Sequence, residues 1–422
     1  MRSIPIRSVL IFWLFLLSAT AFLDRTNISI AGNAIRDELG IDNIRLGWIF
    51  SAFLVGYAAF QVVGGWLAWR FGPRRALAAG VLWWGVFSAL TALVHPRLPF
   101  VLPLLILIRF SLGAGEAVMY PASNQFVARW IPVNERGRAN GWIFAGVGAG
   151  AGLTIPILTW LISHHGWRAS FWFSALVGVA VGLIWFAIAR DVPEQHPWVT
   201  AKELEHIQAG RSPTKGSGSR GSWMRALNGS VIAMTLSYFC FGYVAWIYFS
   251  WFFIYLAQAR GVNLKSNSLF SMIPFVAMTI CCLTGGAVSD WVSRRWSRRM
   301  GRSGLAACSF FMTAVFLMVG SQLSSATAAS LVLAGGAGAL YLSQSSFWST
   351  SADLAGEWSG IVSGVMNMGC QIGGAVTASM TPWLASRFGW NSAFIAGAVF
   401  AAVGALLWLL VDPGPVEGAV SC

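Results

Sequence analysis

Four ionisable side chains stand in stretches that are otherwise apolar: Asp24 and Arg25 in one hydrophobic run, Arg109 and Glu116 in another. Arginine offers a rigid fork of donors that matches a carboxylate and keeps its charge, whereas a carboxyl group in a low dielectric can take up a proton. Arg109 and Glu116 are seven residues apart, two helical turns, and therefore share a helix face. At 1.5 Å per residue, Asp24 and Arg25 lie roughly 12 Å, and Arg109 roughly 13 Å, from the same end of their helices, so both guanidinium groups sit at similar depth. Four such groups can converge on one cavity and exchange partners. The acids neutralise the arginines when the site is empty and, once protonated, release them to an incoming anion, which couples proton binding to anion binding. The plainer alternative is that the charges only pair with one another and hold helices together.

The elements that position them are membrane-spanning. Of the 422 residues, 56% are hydrophobic and only 10% charged, with 23 Trp among a 14% aromatic content; soluble domains carry about a quarter charged residues. Runs long enough to cross a bilayer occupy residues 9–32, 46–69, 76–94, 100–127, 139–163 and 169–189, then 229–257, 267–290, 304–321, 328–350, 359–384 and 391–411. Twelve crossings place both ends of the chain on one side. Taking that side as cytoplasmic gives it nineteen Lys and Arg against seven opposite, the asymmetry that orients membrane proteins. The net charge of +13 is thus a topology signal, and nucleic acid is not an expected partner.

The chain also repeats. Gly65 to Arg75 corresponds to Gly286 to Arg295, Glu135 to Glu357, and Gly166-Trp167 to Gly389-Trp390, at offsets of 221 to 223. The expected fold is therefore an all-α membrane protein of twelve transmembrane helices in two pseudo-symmetric six-helix halves. These comprise residues 1–189 and 229–412, joined by a cytoplasmic linker at 190–228 and followed by a tail at 413–422. Halves of this kind place a binding site at their interface near the bilayer midplane. Within the linker, Thr200-Ala-Lys-Glu203 is a capping box that opens a short amphipathic helix, and Ser212 to Ser222 reads as a flexible connector.

These stretches resemble the major facilitator superfamily, and within it the anion:cation symporters, which include hexuronate, galactonate and tartrate permeases and sialin-like carriers. The matching motifs are Leu23-Asp-Arg-Thr-Asn-Ile-Ser-Ile30, Arg109-Phe-Ser-Leu-Gly-Ala-Gly-Glu116, Trp130 to Ala139, Pro193 to Trp198, and Gly360 to Asn367 with Gly373-Gly374. The resemblance implies that Arg25 and Arg109 handle the substrate anion and that Asp24 and Glu116 carry the proton. It implies a cavity position for Tyr57 and substrate contacts for Ser345, Trp348, Asn367 and Tyr243. Trp348 has core packing as its alternative, and Asn367 an interhelical hydrogen bond. A conformational latch would use Gly65, Asp290 and Arg294. Two departures stand out. The acid usual in the first-half latch is Trp69 here, and the fifth span carries Gly146, Gly148, Gly150 and Gly152 where sugar-acid permeases often place a substrate-binding Gln.

The expected function is proton-coupled import of a small organic anion, a sugar acid or related carboxylate, by a monomer in a bacterial inner membrane. Protons are the coupling ion, and no cofactor or metal is expected: His164-His165 has no third ligand, and the six cysteines form no CxxC. No Walker loop, HExxH or nucleophile elbow is present, so the chain is not expected to be an enzyme. Two rivals stay open. A proton-coupled exporter of drugs or metabolites would couple in the opposite direction, and a membrane sensor or scaffold would bind without flux.

Overall fold

The computed structural model describes residues 5–41, 43–210, 227–261 and 264–414. The connector at Ser212 to Ser222 and the tail from 415 lie outside them. The described residues contain no strand; sixteen α-helices run from end to end. They are α1 (Ile6–Leu39), α2 (Asn43–Phe71), α3 (Pro73–Leu93), α4 (Val101–Glu116), α5 (Met119–Trp130), α6 (Arg136–His165), α7 (Trp167–Ile188) and α8 (Ala201–Ala209). The second half contains α9 (Gly229–Trp246), α10 (Phe252–Arg260), α11 (Leu264–Arg295), α12 (Leu305–Gln322), α13 (Ala326–Leu342), α14 (Gln344–Ala355), α15 (Ser359–Phe388) and α16 (Trp390–Leu409).

Eleven helical stretches are long and apolar enough to cross a membrane, one of them the 63 residues Ala326–Phe388. A crossing takes about 20 residues, and Gly356, at φ 50°, turns the chain within that stretch, dividing it into two. The described residues therefore make twelve crossings. Their packing is pseudo-symmetric: α1 packs on α6, α2 on α4 and α3 on α7, and these pairs recur as α9 on α15, α11 on α13 and α12 on α16. Across the two halves, α6 meets α11 and α2 meets α15.

Crossings four and ten were expected as single helices, and each is broken in the middle. Between α4 and α5, Pro121 has no N–H for the carbonyl of Ala117 and its ring crowds that turn. Between α13 and α14 there is no proline; the Ser343 hydroxyl donates to the Leu340 carbonyl at 2.6 Å, and Ser346 N–H turns back to Ser343 O at 3.0 Å. Crossing seven runs from α9 to α10 through a π-helical turn, Ile247–Trp251, a distortion common at functional sites.

The glycines of α6 serve contact. A Cβ at Gly150 would meet the backbone of Ala19 in α1, and one at Gly148 would meet Thr279 and the Phe275 carbonyl in α11. That close approach draws α6 against both halves at once.

The capping box of α8 forms, with Thr200 Oγ1 accepting from Glu203 N–H at 3.2 Å. The Glu203 carboxylate reaches further than expected, accepting from the N–H groups of Ile6 and Arg7 at 3.1 and 3.0 Å. The linker helix thereby satisfies the unpaired first turn of α1.

Candidate functional site

Asp24 and Arg25 lie on α1, and Arg109 and Glu116 on α4. Arg25 Nε donates to Glu116 Oε1 at 2.7 Å. The Arg25 guanidinium rests over the Tyr57 ring at 4.3 Å, with Phe22 at 4.8 Å and Phe53 at 5.5 Å; that of Arg109 lies 5.0 Å from the same Phe53 ring. Asp24 accepts from the Ser88 hydroxyl at 2.5 Å. Arg109 feels the charges of Asp24, Glu116 and Arg25. The four groups form one electrostatic cluster in which Asp24 Oδ2, Glu116 Oε2, Arg25 Nη2, and Arg109 Nε and Nη1 are buried without a hydrogen-bond partner. Partly satisfied buried ionic networks are costly, and this one retains capacity to change partners.

The cluster does not open as a whole into one chamber. A cavity of about 350 Å³ lies between the halves, and Arg25 is the one charged side chain among the described residues that line it. Asp24, Arg109 and Glu116 stand behind its wall, each 2% exposed or less. Sequence spacing placed the two arginines at one depth; the orientation of each around its helix leaves one facing the cavity and one sealed.

The other expected contacts divide similarly. Tyr57 and Asn367 line the cavity, and Asn367 Nδ2 donates to Gln61 Oε1 at 3.1 Å and to the Tyr57 hydroxyl at 3.4 Å, so the interhelical bond and the cavity position coexist. Trp348 is withdrawn: its indole N–H donates to the Tyr238 hydroxyl at 3.0 Å, and its ring packs 4.8 Å from Phe144. It buttresses the lining from behind, which is the core-packing alternative. Ser345 is buried and also outside the lining. Tyr243 turns away, stacked on Phe400 of α16 at 4.1 Å. Gln344, missed in the sequence, does line the cavity; its Nε2 donates to the Tyr238 hydroxyl at 2.9 Å while Oε1 has no partner. Its place in the polar run Ser343–Ser346 was the available signal.

At the end where α1 begins and α16 ends, the two halves are locked together. Asp290 of α11 accepts from the N–H groups of Gly137 and Arg138 at 2.9 and 2.6 Å, so a carboxylate of one half caps α6 of the other. The expected latch cation, Arg294, is exposed, and among the described residues it has no ion pair. Arg302 takes that role at 2.9 Å from Asp290, and Arg136 pairs with Asp353 at 2.7 Å. Arg302 approaches from the neighbouring crossing, beyond the reach of the motif that suggested Arg294.

The repeat relates Asp290 and Arg136 to Trp69 and Trp358, and these two rings stack at 4.5 Å. Beside them, Gln125 Oε1 accepts from Gly360 N–H at 2.9 Å and from the Ser359 hydroxyl at 3.1 Å, while its Nε2 donates to Glu357 O at 2.9 Å. The first-half latch is thus rebuilt from an aromatic stack and an amide. Gly65 belongs to it sterically: a Cβ there would collide with the Gly360 backbone. No group of three or more His, Cys, Asp or Glu able to hold a metal occurs among the described residues.

Two six-helix halves, locked at one end around a buried charge cluster and an interfacial cavity, define a membrane transporter. The Major Facilitator Superfamily pattern matches residues 14–378, and the chain belongs to that family. It is 31% identical over 414 residues to a probable sulfoacetate transporter of Cupriavidus necator, covering 98% of this chain and 95% of that one. It is 30% identical to a probable galactarate/D-glucarate transporter of Escherichia coli, covering 95% and 92% respectively. Among solved structures, the proton:xylose symporter XylE superposes with a TM-score of 0.75 at 16% identity, over 96% of this chain and 97% of that one. The two sequence relatives are named as probable transporters of sulfoacetate and of galactarate/D-glucarate, both anions, consistent with the anion:cation symporter branch that the motifs of the first and fourth crossings resemble.

Proposed function

We propose that this transporter is a proton-coupled symporter that imports a small organic anion, a sugar acid or related carboxylate, by alternating access. It would act as a monomer in a bacterial inner membrane with both termini cytoplasmic. The observation that carries the reading is the 2.7 Å bond between Arg25, at the cavity wall, and Glu116, buried behind it. An anion entering the cavity competes with Glu116 for the Arg25 guanidinium. Protonation of Glu116 removes that competition, so proton and anion favour each other's binding by the same factor. Asp24 is the second proton acceptor, held by Ser88, and Arg109 keeps the cluster's charge balanced as protons come and go. Release of the Asp290 and Trp69 latches then opens the terminal end. Relatives named for sulfoacetate and for galactarate/D-glucarate support the anion class.

Uptake into proteoliposomes under an imposed pH gradient tests this. An acidic exterior should accelerate entry of a carried anion, and Glu116→Gln should keep anion counterflow while abolishing uphill accumulation. Acceleration of efflux instead would favour the exporter, and binding without flux the sensor.

A further inference from the structure

From the make-up of the cavity wall we infer that the preferred cargo is a monoanionic aryl carboxylate, an aromatic acid, and not a polyol diacid. The inference rests on the transport reading and narrows it. Charge comes first. One guanidinium, Arg25, reaches the cavity among the described residues, and Arg109 is sealed behind the wall. A second carboxylate on the cargo would enter a low-dielectric space with no cation of its own, a heavy penalty.

Surface chemistry comes second. Of the twenty-one described residues around the cavity, eleven are aromatic. Four of the tyrosines among them have hydroxyls that already take part in hydrogen bonds within the protein. Tyr248 donates to Leu333 O at 2.7 Å, Tyr120 pairs with Ser18 at 3.0 Å, Tyr238 receives Gln344 and Trp348, and Tyr57 receives Asn367. What they offer the cargo is ring faces and edges, together with the O–H groups of Tyr57 and Tyr238, which accept in these bonds and keep a proton to donate to a carboxylate. A polyol would exchange the water around its hydroxyls for a wall whose uncharged polar side chains, the aromatic ones aside, are five, Thr26, Ser29, Gln344, Asn367 and Gln371. Three of them are already hydrogen-bonded within the protein, whereas a flat aromatic body stacks on the rings. Gln344 Oε1, buried and unpartnered, is left to accept from a hydroxyl or amino group on the ring.

The test is a binding and counterflow panel on the intact wild-type protein: benzoate, 4-hydroxybenzoate, galactonate, galactarate and sulfoacetate at one pH. The expected result is that an aryl monocarboxylate binds at least about tenfold more tightly than galactonate, with the two dianions weakest. Phe275→Leu, at the cavity wall, should weaken aryl binding severalfold more than it weakens galactonate binding. Flux of galactonate or a dianion with no aryl binding would overturn this inference and leave the transport reading intact. Failure of every anion to exchange would overturn both.

Discussion

Arg25 and Arg109 both lie near the ring of Phe53, yet only Arg25 faces the cavity, and this inequality has a measurable consequence. Arg25 combines a bond from Nε to Glu116 with a guanidinium plane laid over Tyr57. Lysine keeps the charge and loses both the fork and the stacking. Arg25→Lys is therefore expected to lower kcat/KM for counterflow by about 10- to 100-fold, as for a hydrogen bond to a charged group. Arg109 is buried beside Phe53, with Asp24, Glu116 and Arg25 as charged neighbours, and does not line the cavity. Arg109→Lys should change KM by less than about threefold and appear mainly in the pH profile. Equal losses in KM would show that Arg109 reaches the anion. At this scale the four charges were legible in sequence because ionisable groups in apolar runs are costly and conspicuous. Which way each one faces was not. Helices α4 and α9 are apolar almost all round and α14 carries Ser and Thr on several sides, so no single polar stripe reports their rotation, and Tyr243 and Trp348 turn away from the cavity for reasons that only the packed neighbours supply.

The helices themselves were legible in length and number, since a bilayer demands about 20 apolar residues whatever the neighbours do. The interruptions of crossings four and ten were less so; Pro121 offered a local signal and Ser343 offered none. Where α1 overruns its apolar stretch, a loop-side contact ties it down: Glu38 accepts from Arg168 Nη1 and from the Trp167 indole, each at 2.7 Å. The Arg168 guanidinium beside it holds the Glu38 carboxyl below the usual glutamate range. A lowered folded-state pKa contributes stability that is present above the unfolded value and lost as pH falls through the folded one. Glu38→Gln is expected to lower Tm by a degree or two at pH 7. The difference from wild type should shrink steadily as pH falls below the ordinary glutamate value. A difference constant from pH 7 to pH 3 would mean that the contact acts through packing alone.

For the molecule as a whole, the repeat makes the two latches comparable and shows them to be unlike. The departure at Trp69 was visible in sequence, but its replacement by the Trp358 stack and Gln125 was not, because the partners lie more than 230 residues away. The second-half latch is electrostatic: Asp290 spans the halves to cap α6 and neutralises Arg302, which is 1% exposed. Asp290→Asn removes the charge that stabilises both and leaves a buried guanidinium whose remaining counter-charge among the described residues is Asp353, 3.8 Å away. A penalty of about 3 kcal/mol, toward the low end for breaking a buried pair, falls on the closed arrangement and is about two orders of magnitude in the equilibrium between states. The stack between Trp69 and Trp358 contributes about 1 kcal/mol, as aromatic pairs do, so Trp69→Ala should shift the same equilibrium by less than about tenfold. Both shifts can be read from a cysteine at Ser351, whose hydroxyl accepts from Asn124 Nδ2 across the closed halves at 2.8 Å, in a background lacking the native cysteines. A hydrophilic maleimide applied from the terminal side should label Asp290→Asn far faster than wild type, with Trp69→Ala in between. Equal labelling of both variants would mean that the two halves lock through steric closure at Gly65 and Gly360, and that neither latch governs the switch.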